Sequence, residues 1–318
     1  RLAARGGDNS AFFRGKRKTS WWVVAFAMIG SCMSGVTFVS VPGMVGAASM
    51  GYLQMCIGFF VGYLIIAFVL TPIYFKYDLV SIYGYLERRF GLSAYKTGAW
   101  FFFISKLLGA SVRLFLVCLI LQLLVFGPLG LPFLLNVAVT MGIVLIYTFR
   151  GGVKSVIWTD NLKTFCMIAS VVLCIVFIAR GLGLDFKGLA STVSGSGMSR
   201  VFFFDDINDP EYFWKQFLGG VFTVVAMTGL DQDLMQRTLA CKNVRDSQKN
   251  LVISSLLQIV VIAMFLVLGI LLYVYAGRVG IAGTGDKIFP AVATSGSLPA
   301  MVGVMFILGL VSCSFNAG

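Results

Sequence analysis

Val252–Ala276 reads VISSLLQIVVIAMFLVLGILLYVYA, 25 residues without a formal charge. About 20 apolar residues cross the hydrocarbon core of a bilayer, so this stretch has the length of a membrane-spanning helix and exceeds what a soluble core needs. It lies in the seventh of eight apolar runs: Trp21–Ala48, Tyr52–Tyr74, Thr97–Phe126, Phe133–Phe149, Val156–Ile178, Phe213–Met235, Leu251–Ala276 and Leu298–Gly318. Across all 318 residues 58% are hydrophobic and only 12% charged, with 29 Phe and 36 Gly, and the mean hydropathy is +0.92. Phe facing lipid and Gly allowing close helix contact are both expected of helices packed in a membrane. The fold class is therefore all-α polytopic membrane protein.

The net charge of +12 does not indicate nucleic acid as a partner. Lys and Arg gather in alternate connections: Arg14, Lys16, Arg17 and Lys18 before the first run, Lys76, Arg88, Arg89 and Lys96 after the second, Arg150 and Lys154 after the fourth, and Arg237, Lys242, Arg245 and Lys249 after the sixth. Short basic connections stay in the cytoplasm, so the first run enters from inside, and the alternation agrees with about eight transmembrane helices. Arg278 and Lys287, after the seventh run, are a mild exception. The expected location is the plasma (inner) membrane, with lipid as the surrounding partner. With no His, imidazole metal sites and His-based catalysis are excluded. The seven Cys form no CxxC pair and read as packing residues. No cluster suggests an enzyme, no metal other than a transported ion is expected, and no organic cofactor is implied.

Two connections have content of their own. Asp78–Phe90 sets Tyr83, Tyr85 and Leu86 against Glu87, Arg88 and Arg89, the pattern of a short amphipathic helix in the cytoplasmic interface. Ser191–Ser199 is Gly/Ser-rich and reads as a mobile external loop. The basic start lacks the apolar core of a signal peptide, and the last run is cut at Gly318, so a piece of a longer chain is expected.

Two ionisable residues sit at membrane depth, where such groups point to a pathway. Asp160 heads the fifth run; it serves either that pathway or an i,i+3 ion pair with Lys163. Arg113 is about 16 residues into the third run, roughly 24 Å along a helix. It either snorkels to the outer interface or holds an anion such as a carboxylate. Two runs are also marked for interruption. The first contains Gly30, Ser31, Ser34 and Gly35, then Pro42-Gly43; the sixth contains Gly219-Gly220 and Thr228-Gly229-Leu230-Asp231-Gln232-Asp233. Broken helices free backbone groups for ion and substrate binding, although small residues also serve close packing alone.

At these residues the chain resembles the sodium:solute symporter family. The likeness is carried by Trp21-Trp22 through Ser34-Gly35-Val36-Thr37-Phe38 to Pro42-Gly43, by Tyr83-Gly84-Tyr85-Leu86-Glu87-Arg88-Arg89-Phe90-Gly91, by Tyr147-Thr148 with Gly151-Gly152 and Val156-Ile157-Trp158-Thr159-Asp160, and by Asp231-Gln232 with Gln236-Arg237, Leu239-Ala240 and Lys242-Asn243. The resemblance implies a leucine-transporter-type inverted five-helix repeat, truncated here. The whole of residues 1–318 would be one membrane transport domain: a first repeat over about 19–180, an extracellular loop over about 181–210 and a partial second repeat over about 211–318.

The implied activity is sodium-coupled import of a small organic solute (a sugar, a sialic acid, or a related polyol or organic acid) by alternating access. The alternative is a sensor, the same module fused to a signalling domain beyond residue 318. Sodium ligands implied by the likeness are the carbonyls of Gly30 and Met33, with Ser312 and Asn316 on the last helix. Asp160 would assist sodium release or join a second sodium site, with Lys163 an awkward neighbour. Implied substrate contacts are Ser34, Thr37, Gln54, Thr228 and Gln258, the last alternatively an interhelical hydrogen bond. Lys106 falls nearer than Arg113 to the substrate-binding arginine of sialic acid transporters.

Overall fold

The computed structural model describes residues 19–79, 82–148 and 152–314, and the regular elements among the described residues are helices. In chain order they are α1 (Trp21–Cys32), α2 (Gly35–Ala48), α3 (Tyr52–Ile65), α4 (Thr71–Lys76), α5 (Ile82–Phe90), α6 (Leu92–Leu121), α7 (Phe133–Thr148), α8 (Gly152–Gly181), α9 (Phe186–Gly195), α10 (Phe213–Val224), α11 (Gln232–Thr238), α12 (Val244–Val279), α13 (Ile288–Thr294) and α14 (Ala300–Ser314). Four stretches are long and apolar enough to cross a membrane: Tyr52–Lys76, Leu92–Leu119, Asp160–Gly181 and Val244–Val279. A fifth results if α1 and α2, bent by 67°, count as one span; Phe133–Ile143 and Ala300–Leu310 are shorter apolar helices.

The longest element, α12, runs 36 residues and acts as a spine. Asn243 starts it by accepting the Asp246 amide at 2.8 Å, and Gly280 ends it in the left-handed conformation at φ 77°. At 1.5 Å per residue it is about 54 Å long, enough to pack against both α1 and α2 and against α3 and α8. The α3–α10 seam is close because a Cβ on Gly58 would overlap the Phe217 carbonyl, and one on Gly220 the Met55 carbonyl. Small residues at such crossings let helix backbones approach.

The core divides at the α1–α2 break. Val24, Ala27 and Met28 of α1 pack with Tyr63, Tyr74, Met235 and Leu239. Phe38, Val41 and Val45 of α2 pack instead with Phe265, Phe289, Phe306 and Leu271. The two halves of the broken helix thus pack largely in different apolar clusters, with Ile29 near the end of α1 already in the cluster of α2.

The structure differs from the sequence reading in several places. The Gly/Ser-rich stretch at Ser191–Ser199 is not a loop throughout, because α9 continues to Gly195. Asp185 caps that helix by accepting the Gly188 amide at 2.7 Å, and a good cap lets a weakly helical stretch continue. The amphipathic helix begins at Ile82, and α6 begins at Leu92, ahead of the apolar run itself. π-helical turns at Ile66–Leu70, Gln122–Phe126 and Val225–Gly229 interrupt the second, third and sixth runs. Such single turns are frequent at functional positions.

Candidate functional site

The first break is built from two extended residues, Met33 (φ −97°, ψ 130°) and Ser34 (φ −108°, ψ 168°). Ser34 then starts α2 with a reciprocal cap. Its hydroxyl accepts the Thr37 amide at 3.3 Å, while Thr37 Oγ1 accepts the Ser34 amide at 3.2 Å. The Ser34 amide is thus turned forward to Thr37, and the Met33 amide makes a last helical bond to the Ile29 carbonyl at 3.1 Å. Two hydroxyls expected to meet substrate are thus engaged in holding the break open. Gly30 presses on α8, where a Cβ would overlap Thr164 Oγ1 and come within 3.1 Å of the Asp160 carbonyl. Thr164 Oγ1 itself donates to the Asp160 carbonyl at 2.7 Å.

Asp160 is fully buried and lies between two cations. Lys163 Nζ is 3.1 Å from Oδ1, and the Arg237 guanidinium pairs with Oδ2. Ser31 of α1 donates to the same Oδ2 at 3.1 Å and also meets Arg237. Arg237, 5% exposed, is held from its other side by Asp233 at 3.1 Å. One buried network thus ties α1, α8 and α11 together beside the break. The ion pair with Lys163 expected from the sequence is present, and Arg237 joins it. The sequence reading placed Arg237 among the charges of a cytoplasmic connection and used Ser31 and Asp233 only as marks of interrupted runs; Arg237 is instead buried on α11. The i,i+4 spacing of Asp233 and Arg237 was the available signal, but nothing local tells that Arg237 reaches a helix 77 residues away in sequence.

The second break follows the π turn at Val225–Gly229. Asp231 caps α11 by accepting the Leu234 amide at 3.1 Å, and its Oδ2 pairs with Lys106 of α6 at 2.7 Å. Tyr74 of α4 donates to the Gly229 carbonyl at 3.2 Å. Tyr63 of α3 reaches the first break, with its hydroxyl 3.2 Å from Cys32 Sγ. Thr228 is buried where the sequence suggested a substrate contact. Tyr63 and Cys32 carried no recognisable signal beyond being polar groups in apolar runs.

Gln54 is fully buried and committed to the segment between α9 and α10. Its amide nitrogen donates to the Glu211 carbonyl at 2.9 Å, and its oxygen accepts the Phe203 amide at 2.9 Å. Burial and the neighbouring Asp209 push the Glu211 carboxyl above its ordinary range. Replacing Gln54 by Leu leaves a carbonyl and an amide of this segment unpaired, at about 1–3 kcal/mol each. Limited proteolysis between residues 199 and 212 is then expected to be at least about tenfold faster; unchanged cleavage would show that Gln54 does not hold the segment down.

Gln258 on α12 is half-buried and makes no hydrogen bond within the described residues. Arg113 and Ser312 lie on α6 and α14, and their side chains fall outside the described residues. Asn316 falls outside them altogether.

The sequence profile of the sodium:solute symporter family matches residues 12–313. The chain is 27% identical to the human sodium/iodide cotransporter over 277 residues, covering 86% of this chain and 42% of that protein. It is 26% identical to the sodium/sialic acid symporter of Aliivibrio fischeri, covering 86% and 54%. To the human sodium-coupled monocarboxylate transporter 2 it is 24% identical, covering 96% and 49%. The chain thus spans about half the length of these relatives. Among solved structures, a substrate-bound, outward-open Na+-coupled sialic acid symporter superposes with a TM-score of 0.84 at 18% identity, covering all of this chain and 65% of the other. That likeness is one of fold.

Proposed function

We propose that this chain, which belongs to the sodium:solute symporter family, is the transport module of a sodium-coupled symporter that imports a small organic solute by alternating access across the plasma membrane. The observation that carries the reading is the α1–α2 break, with its 67° bend and its own capping box, set against α8 at Gly30. Sodium is a substrate of this machine. Carbonyl and hydroxyl oxygens suit a hard cation, and Gly30, Met33, Ser312 and Asn316 are the proposed ligands. The first helix starts on the cytoplasmic side in this reading, and residues of about 19–180 and 211–318 belong to two inverted repeats.

Asp160 serves the inner end of the sodium route. Two cations, Lys163 and Arg237, already neutralise it, so sodium reaches it only by displacing one of them. Exchange of Arg237 for sodium would loosen α1 from α11 and α8, coupling ion movement to opening of the inner side. A membrane potential of about 100 mV contributes roughly 2.3 kcal/mol per charge moved.

The solute would bind beside the breaks, next to Thr228 and Gln258. Gln258 is half-buried, and its side chain makes no hydrogen bond among the described residues, so its amide is available to a solute beside α12. The relatives are named for iodide, sialic acid and monocarboxylate, all anions at neutral pH. These names favour organic acids over neutral sugars; Lys106 of α6, paired with Asp231, would meet an anion only by giving up that pair. The test is uptake into proteoliposomes containing the full-length protein, with a panel of organic acids and sugars and with sodium replaced by choline. Uptake is expected to fall to background in choline and to return with sodium. Uptake indifferent to that exchange would defeat the coupling.

A further inference from the structure

The amphipathic helix α5 is not used by the reading above, yet it is placed for a second role. It joins two membrane-length stretches, Tyr52–Lys76 and Leu92–Leu119, so it is held within a few residues of the bilayer surface at both ends. Over residues 76–96 the chain carries Lys76, Arg88, Arg89 and Lys96 against Asp78 and Glu87, a net charge of +2. The four cations are exposed.

Three of them converge on one aromatic pair. Tyr77 and Tyr85 lie with centroids 5.9 Å apart. The Lys76 ammonium sits 5.7 Å over the Tyr77 ring, Arg88 donates to the Tyr77 carbonyl at 3.0 Å, and Arg89 donates to the Tyr85 hydroxyl at 3.1 Å. Phe90 and Leu92 are exposed beside them. Cations set among exposed apolar side chains at the end of a span match a headgroup layer, where ammonium and guanidinium meet phosphate and the rings lie at the acyl boundary.

We propose that the end of α4 together with α5 is a docking surface for anionic phospholipid headgroups. The inference rests on the membrane setting of the reading above but not on sodium coupling. The surface also touches the second break. Tyr83, on the other face of α5, packs on Phe102 of α6 at 5.6 Å. The Lys106 ammonium lies over the same Phe102 ring at 5.6 Å while pairing with Asp231. A headgroup that steadies α5 on α6 therefore steadies the group holding the cap of α11.

The experiment measures lipid retained by purified full-length protein, using native mass spectrometry after incubation with equal phosphatidylglycerol and phosphatidylcholine. Each cation near an anionic surface contributes about fivefold in partitioning. Phosphatidylglycerol is thus expected to be retained about tenfold or more over phosphatidylcholine, and Lys76→Gln/Arg89→Gln to remove most of that preference. Arg88 is left intact because it caps the end of α4. Lys76→Arg/Arg89→Lys keeps both charges and should keep the preference, which separates charge loss from misfolding. Millimolar inorganic phosphate should not compete, since it lacks the acyl chains. Equal retention of the two lipids, an unaltered preference in the Gln variant, a lost preference in the charge-conserving variant, or displacement by phosphate would each overturn the proposal. Lipid retention is read without transport, so failure of sodium-coupled uptake leaves this result separate.

Discussion

Arg237→Met is expected to cut sodium-driven uptake by more than about tenfold and to lower the thermal midpoint of the purified protein by several degrees. The substitution removes a buried guanidinium from Asp160, Asp233 and Ser31 together. Breaking a buried ion pair from one side costs about 3–5 kcal/mol, because the remaining charge stays desolvated. Lys163 retains part of the compensation for Asp160, so the lower end of that range applies.

The second half of the experiment separates stability from mechanism. Asp160→Asn/Arg237→Met removes both charges, and its thermal midpoint should return most of the way to that of the unmodified protein. Its uptake should remain low, because the group that sodium is proposed to reach is gone. A double variant as unstable as the two single losses combined would mean that Asp160 and Arg237 are not energetically coupled.

Gly30→Ala is expected to abolish measurable uptake. The added Cβ overlaps Thr164 Oγ1 and stands 3.1 Å from the Asp160 carbonyl. Interiors as dense as this yield little, and forcing extra atoms into them costs about 1–3 kcal/mol. The displacement would fall on the carbonyl proposed to bind sodium. Thr164→Ala in the Gly30→Ala background removes the overlapping oxygen, so the double variant should regain stability and part of its uptake. Its half-saturating sodium concentration should stay raised, since the Asp160 carbonyl still crowds the new methyl group. Uptake and sodium dependence unchanged by Gly30→Ala alone would remove the first break from the sodium site.

Much of the architecture was legible along the chain because bilayers impose local rules. The apolar runs are set by hydrocarbon thickness, and they fall on helices here. The break in the first run was legible because Gly30, Ser34 and Gly35 are poor helix interiors. The amphipathic segment was legible from alternating faces over a few residues. The π turns were not, since they insert one residue per turn without a compositional mark. Nor was the helix over Phe186–Gly195, where one capping aspartate outweighed the Gly/Ser content that follows.

The site divides along the same line. Sequence alone determined that helices fill the chain, that the first run is interrupted near Gly30, and that Asp160 and Lys163 are a turn apart. All of these depend on neighbours within a few positions. Only the tertiary structure decided that Ser34 and Thr37 cap one another, that Gln54 is spent on the segment between α9 and α10, and that Arg237 faces Asp160. Each of those assignments turns on which partner a polar group finds when water is absent. In a buried setting an unpaired donor or charge is costly enough to select its partner from any part of the fold. That choice is made by packing in three dimensions, at separations such as the 206 residues between Ser31 and Arg237, where sequence periodicity carries no information.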